Sequence, residues 1–371
     1  MSADHVSKRG EKQVPSQATT RQAGEDGKRR RRVTQLDVAR VAGVSISAVS
    51  MAFKNHPRIA KETRDRIRKI ATELGYRPDP LLTSLAAYRS GLRPAAYHGT
   101  LAWLINSTGG GKWDFVSHHS RFFEGAREAA DRHGFTLERF DLARDGEPCL
   151  VKTASILRAR NVTGIIVSPQ PFTETDLTGF PWEEFSVVEM ARTLAAPRLH
   201  SVGAAHFRAT IQCVQRLRAT GHRRIGFVSS AVAMERNEYF FLGAWLALQE
   251  MAGLGGQIPP LIGKPLNPDA AVLRRWLEEH RPDGLVIGDW TLPTLRQAGW
   301  RVPEDISVAC FNLPDDVSGI SGVWEMPQMS GAAAANLLVS LIQRSERGIP
   351  ESPQTVQVDG RWLEGATVRA R

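Results

Sequence analysis

The chain has 371 residues, 42% apolar and 23% charged, with a formal net charge of +9. That length suits two or three domains. No run approaches the ~18 consecutive apolar residues of a membrane span, and the polar N-terminus lacks an apolar signal-peptide core, so a cytoplasmic protein without a membrane partner is expected.

Cys149, Cys213 and Cys310 are far apart, odd in number and without a C-x-x-C pair. This argues against a disulfide scaffold or a cysteine zinc site, and for buried reduced thiols. The charge is unevenly placed. Residues 1–32 hold nine Lys/Arg against four Asp/Glu, and residues 33–93 hold eleven against five. The first 93 residues therefore carry +11 and the remaining 278 carry −2. A basic head on a near-neutral body points to a polyanion partner for the head alone.

Residues 1–32 are rich in Ser, Gln, Lys, Arg and Gly and end in an arginine run, Arg29 to Arg32. They lack core-forming residues, so a disordered basic tail is expected. The run reads equally as a solvated tail or as an arm that tracks DNA non-specifically.

Residues 33–76 read as a compact helical unit. Thr34 caps a first helix with apolar positions Leu36, Val38, Ala39, Val41 and Ala42. Gly43 permits a sharp turn. Ser45 then caps a second helix reaching about Phe53, with Ala48, Val49 and Ala52 towards the core. "KETRDRIRKIATELG" makes a third, with Ile67, Ile70, Ala71 and Leu74 inward and Gly75 as its end. Residues 77–98 form a linker in which Asp79 is a natural N-cap and Pro80 suits the first helical position. A helix of about ten residues there falls below the ~12–15 needed for stability alone in water.

From residue 99 short apolar runs alternate with helical segments. "TLAWLIN", "TLERFDL", "GIIVSP", "FSVVEM", "RIGFVSS", "GLVIGDW" and "ISVACFN" read as strands, with helices near 118–133, 150–160, 206–219, 236–252 and 268–280. The alternation predicts parallel α/β sheets, and so long a stretch, 99–371, predicts two lobes.

The stretch "VTQLDVARVAGVSISAVSMAFKNHPRIAKETRDRIRKIATELGYRPDP" resembles, without gaps through about 45 residues, the DNA-binding head of the LacI/GalR transcription regulators. The rest resembles that family's periplasmic-binding-protein-like (type I) effector domain, best at "ATGHRRIGFVSS", "QAGWRVPEDISVACFN" and the closing "DGRWLEGATVR". The resemblance implies a homodimer whose heads sit in successive major grooves of a near-palindromic operator. It also implies paired hinge helices at 79–89 in the minor groove, and a small effector between the lobes that alters how the heads are held.

The positions matching the family's base contacts are Ile46, Ser47 and Met51; the last usually holds an Arg that reads guanine. Ile46 and Met51 can only pack on thymine methyls, while Ser47 can bond to either base type. Each missing bidentate pair forgoes roughly 1–3 kcal/mol of discrimination. Phosphate contacts from Thr34, Ser45, Ser50, Lys54 and Arg58 are expected to position the head. Leu85 falls where the family inserts a leucine wedge, which reads deformability instead of hydrogen-bond patterns. A place in the helical core for Ile46 and Met51, and a plain dimer contact for Leu85, are the competing readings.

In the effector domain the family usually has an Arg three residues before G-x-x-x-A-L, where this chain has Phe240. Gly288 and Asp289 stand where an Asn-Asp pair is usual, and Asn312 where an Asp is usual. Loss of the cationic clamp suits ring stacking, and Trp113, Trp290 and Trp324 fall at strand ends or loops where clefts form. A sugar is the expected effector; a more apolar ligand, or none, is the alternative. Plain core or interlobe packing competes for each Trp, and a helix cap for Asp289. "STGGGKWD" fails as a phosphate loop because Asn106 replaces the first Gly and Trp113 the Ser/Thr. No nucleophile elbow or H-E-x-x-H appears, so no enzyme, cofactor or metal is expected. The expected function is that of a sequence-specific DNA-binding regulator, a repressor answering to a small effector. The alternative is a cytoplasmic small-molecule-binding protein with only non-specific DNA affinity.

Overall fold

The computed structural model describes residues 33–53, 59–74, 76, 98–108, 117–144, 147–170, 172, 174–251, 258–264, 266–313 and 315–370. The chain divides into two units between Pro78 and Asp79. The basic tail, Gly75 and the expected hinge helix at 79–89 lie outside the described residues.

The first unit holds α1 (Gln35–Ala42), α2 (Ile46–Phe53) and α3 (Lys61–Glu73). The Thr34 hydroxyl accepts from the Asp37 N–H while the Asp37 carboxylate accepts from the Thr34 N–H at 2.9 Å, a reciprocal cap on α1. Gly43 ends α1 at φ 64, where a side chain would be strained. The three-residue turn sets α2 at 104° to α1, within the range of helix-turn-helix pairs. Val38, Ala39, Ala42, Val49, Ala52, Ile67 and Ala71 form the core, flanked by Phe53 against Tyr76 with ring centroids 5.5 Å apart. Leu36 and Val41 depart from the expected inward stripe and are 45% and 59% exposed. At about 100° per residue, Val38, Ala39 and Ala42 share one narrow arc of α1, and the other two lie outside it.

The second unit has fourteen described strands. They are β1 (Gly99–Ile105), β2 (Phe135–Asp141), the short antiparallel pair β3 (Ala143–Arg144) and β4 (Glu147–Pro148), β5 (Gly164–Val167), β6 (Ser186–Met190) and β7 (His200–Ala204). There follow β8 (Ile225–Ser230), β9 (Leu261–Gly263), β10 (Gly284–Ile287), β11 (Ser307–Leu313), β12 (Gly322–Trp324), β13 (Thr355–Val358) and β14 (Arg361–Leu363). Their helices are α4 (Ser117–Arg132), α5 (Leu150–Ala159), α6 (His206–Ala219), α7 (Ala231–Arg236), α8 (Phe240–Met251), α9 (Ala270–His280), α10 (Leu292–Gln297) and α11 (Pro327–Arg344).

The two lobes carry one sheet each. Lobe 1 has the order β13-β7-β6-β5-β1-β2, parallel throughout. Lobe 2 has the order β14-β12-β11-β10-β8-β9, parallel except where β14 runs against β12. Side chains alternate through each sheet into two cores. Leu101 and Trp103 pack with Ala126 and Leu338, whereas Ala102 and Leu104 pack with Ala154 and Leu157. Burial on both faces explains why the strands read as continuous apolar runs.

The chain passes between the lobes three times, at Ala205, at Glu325–Met326 and at Asp359–Gly360. The passages are laced together. The Ala205 N–H donates to the Val358 carbonyl at 2.9 Å, His206 Nε2 lies 3.2 Å from Glu325 Oε1, and Arg208 Nε lies 3.1 Å from Asp359 Oδ1.

Two elements differ from the sequence pattern. The helix expected over 236–252 starts only at Phe240, because Glu238 and Tyr239 hold φ of 47° and 60°, and a separate short helix, α7, precedes that break. The apolar pattern also gives no warning of α11, whose Gly331 and four following alanines make a weak signal. Packing explains them. A Cβ on Gly331 would lie 1.9 Å from the Phe122 carbonyl oxygen, and one on Gly125 1.9 Å from that of Gln328, so α4 and α11 meet backbone to backbone. Cys213 and Cys310 are buried and burial pushes both thiols up; Cys149, expected inside, is only half-buried. Among the described residues no single helix is long and apolar enough to cross a membrane, and no three metal-ligating side chains come together.

Candidate functional site

On the first unit α2 turns one face inward and one out. Val49 and Ala52 are fully buried, Ile46 is 46% exposed, Ser47 is exposed, and Ser50 and Met51 are half-buried. Ile46 and Ser47 stand outside the core, so the core reading fails for Ile46. The Thr34 and Ser45 hydroxyls are spent as caps, Ser45 Oγ accepting from the Ala48 N–H at 3.1 Å. The Thr34 N–H is likewise taken by Asp37, so what these two caps leave for a phosphate is the backbone N–H of the first helical residues after them. Lys54, Arg58 and Leu85 lie outside the described residues.

On the second unit the carboxyl ends of both sheets face one cleft, the usual ligand position in open α/β sheets. Lobe 1 lines it with His119 and Phe122 from α4, Pro169 beyond β5, and Ala191 and Thr193 beyond β6. Lobe 2 supplies Arg236 and Asn237 after β8, Phe241 on α8, Asn312 on β11 and Glu325 beyond β12. The cavity is about 130 Å³, close to the roughly 150 Å³ that accepts a benzene ring.

Arg236 spans this space. Its Nη2 donates to the Gln170 carbonyl of lobe 1 at 2.9 Å. Gln170 is itself buried and held by Asn106 and Thr193. Burial pulls the Arg236 pKa down, but a guanidinium starts so high that it stays charged. His206 lies against Phe241 with ring centroids 4.6 Å apart, and Phe241 stacks on Phe311 at 4.1 Å. Asn312 Oδ1 is buried with no partner among the described residues, an acceptor facing the place of a ligand.

The lobes are also tied on both flanks. Arg121 of α4 pairs with Asp316 at 3.2 Å. Opposite, Glu238 accepts from Arg192 at 2.8 Å and from Arg198 at 3.0 Å. Behind that pair the Glu189 carboxyl on β6 is buried, and burial raises its pKa to about 7.

The family described as bacterial regulatory proteins, lacI family, matches residues 34–79, and the periplasmic binding protein-like domain matches residues 214–368. Catabolite control protein A of Priestia megaterium is 23% identical over 292 residues, 76% of this chain and 82% of that protein. The transcriptional regulator PtxS of Pseudomonas plecoglossicida is 26% identical over 332 residues, 85% and 91% of the two. The chain belongs to the LacI/GalR family of transcriptional regulators. Two solved structures share its fold. A CelR–cellobiose complex has a TM-score of 0.53 at 20% identity, covering 91% of this chain and 100% of that one. The lac repressor dimer bound to operator and the anti-inducer ONPF has 0.52 at 18%, covering 92% and 100%.

Against this family pattern the cleft is only partly where the sequence points. Asn312 lines it, and Phe240 lines an adjoining hollow with Arg192 and Thr355. Where the family pattern has an Arg this chain has Phe240, and the cation that lines the cleft is Arg236, four residues earlier on the far side of the break at Glu238–Tyr239. Trp324 is 8% exposed and packs in the lobe 2 core. Trp290 leans on Phe311 at 5.8 Å and lies over Gly288, where a Cβ would come within 2.3 Å of the indole. That contact explains the glycine at a position that is usually Asn. Asp289 opens a short turn after β10 and is not among the lining residues, and Trp113 lies outside the described residues. Sequence reading misses Arg236, His206 and Glu325. Arg236 had a signal, being the sole Arg between Arg224 and Arg274. The other two matter because they sit at lobe crossings.

Proposed function

We propose that this LacI/GalR regulator is a homodimeric repressor that grips a near-palindromic operator and answers to a small polyhydroxyl effector, a sugar, in the interlobe cleft. The observation that carries it is the cleft lining: aromatic walls, Phe122 and His206, joined to hydrogen-bonding groups from both lobes, Thr193, Arg236 and Asn312. Sugar rings need both, an apolar face to stack on and fixed polar groups to orient hydroxyls. The working division is a tail at 1–32, a head at 33–76, a hinge helix and linker at 77–98 and an effector and dimerisation unit at 99–371. Ile46 and Met51 pack on thymine methyls, and Ser47 bonds to a base edge. Ser50, Lys54, Arg58 and the helix starts at Thr34 and Ser45 hold phosphates, and Leu85 wedges the minor groove. The known complexes of lac repressor with operator and of CelR with cellobiose support the scheme by kinship of fold.

The test is selection of bound fragments from random duplexes, then gel shift with and without cellobiose and monosaccharides. Expected is a near-palindrome rich in A·T where α2 lies, with occupancy changed about 5–150-fold by a sugar. No preference for any duplex over heparin, in any ligand condition, would sink the proposal.

A further inference from the structure

The cleft does not end at Arg236. Arg236 and Thr193 also line a further hollow of about 180 Å³, bounded by Arg192, Arg198, Glu235 and Glu238. Two guanidinia of lobe 1, Arg192 and Arg198, converge there on a single oxygen of lobe 2, Glu238 Oε1, at 2.8 and 3.0 Å. Glu238 reaches them from left-handed backbone, φ 47, followed by Tyr239 at φ 60, a conformation that L residues hold only at a cost. One carboxylate thus faces two cations. On the same rim Arg236 and Glu235 offset each other, and Glu189 lies buried behind, its pKa lifted by burial to about 7, so near neutrality it cancels only part of the surplus. Paired guanidinia match the geometry of carboxylate and phosphate oxygens.

We propose that Arg192 and Arg198 form an anion subsite at the mouth of the effector cleft, taking the carboxylate or phosphate of a polyhydroxyl ligand, and that Glu238 is the built-in occupant which this anion displaces. The inference rests on the reading of the cleft as the effector site and deepens it. The neutral part of the ligand lies against Phe122, His206 and Asn312, and its charged end emerges beside Arg236. Displacement exchanges a lobe-to-lobe ion pair for a lobe-to-ligand one and releases the strained link between α7 and α8.

The test is calorimetric titration of the full chain at fixed ionic strength with D-glucose, D-gluconate, D-glucose 6-phosphate and inorganic phosphate. It is repeated for Arg198→Gln, whose side chain is 57% exposed, and for Glu238→Gln. At least one charged sugar is expected to bind about tenfold or more tighter than glucose, as charge-assisted bonds allow. Gluconate and glucose 6-phosphate separate carboxylate from phosphate. Arg198→Gln is expected to abolish the preference, and Glu238→Gln to raise affinity for the favoured anion about fivefold by removing its competitor. No anion preference, including no binding at all, overturns the proposal. So does absence of a gain in Glu238→Gln, or inorganic phosphate binding as tightly as the charged sugar. Operator selection scores the regulator reading separately, so either can fail while the other stands.

Discussion

Lobe 1 runs β2-β1-β5-β6-β7-β13 and lobe 2 runs β9-β8-β10-β11-β12-β14, the same order position by position. They part at the last strand. β13 enters parallel after the long crossover through α11, whereas β14 follows β13 across two residues, Asp359 and Gly360, and enters antiparallel. Lobe 1 is therefore completed by a helix and a strand that follow lobe 2 in the chain, and lobe 2 by a short final strand. Their contributions to the cleft differ as well. Lobe 1 brings the arginine pair and a buried acid, and lobe 2 brings Arg236, Asn312 and Glu325. One architecture thus accommodates two local chemistries, because side chains past the strand ends are little constrained by the sheet beneath.

The largest expected effect comes from placing the same substitution on a helix of each lobe. Gly331→Ala forces α11 off α4, and a loss of about 3 kcal/mol is expected. At roughly 2–4 °C per kcal/mol, that lowers the melting temperature by about 6–12 °C. On α8 the nearest atom to a Gly243 Cβ is 4.0 Å away, so Gly243→Ala should stabilise by about 0.5–1 kcal/mol. Equal signs in thermal unfolding would break the contrast.

Next is pH. The unfolded Glu189 carboxyl titrates near 4.5 and the folded one near 7. Between those values the unfolded chain has lost this proton while the folded chain keeps it, so stability falls as pH rises through the window, by roughly 3 kcal/mol at most. Denaturant titrations at pH 5 and 7.5 should show the fall in the native chain and not in Glu189→Gln. Lobe 2 offers the opposite sign in Asp305, which Arg301 holds down to about 2 at the surface, outside that window.

Arg236→Met should leave folding intact and weaken binding of the cognate effector about 10–100-fold in calorimetry, as for a lost hydrogen bond to a charged group. Unchanged affinity would remove lobe 2's cation from ligand recognition. The smallest effect belongs to the opposite flank. Arg121 and Asp316 are 26% and 38% exposed, so a double-mutant cycle with Arg121→Met and Asp316→Asn should find a coupling below about 1 kcal/mol. A larger coupling would make this pair a true latch between the lobes.

Much of the architecture is legible without coordinates. The apolar runs mark strands of both sheets, and Thr34, Gly43 and Ser45 mark the turn of the head, because caps and strand burial are local or periodic constraints. α11 escapes notice because small residues carry little hydrophobic signal, yet close backbone approach demands them at Gly331 and Gly125. Within the cleft Asn312 is legible from its place at the end of a strand. Arg236 lies on the far side of the break at Glu238–Tyr239, which no periodicity announces. Trp290 and Trp324 mislead because an indole at a strand end serves core and cleft equally well by pattern.

By itself the amino-acid order determined the class of molecule: a basic three-helix head, then two α/β lobes of a LacI/GalR regulator. Those features depend on residue type at short spacing, where capping, periodicity and charge act. Only the tertiary structure decided which side chains share the cleft, since Arg236, His206, Glu325 and the Arg192–Arg198 pair are brought together by chain crossings. Contacts between residues from 40 to 119 positions apart depend on how sheets and helices pack, and packing leaves no periodic mark in the sequence.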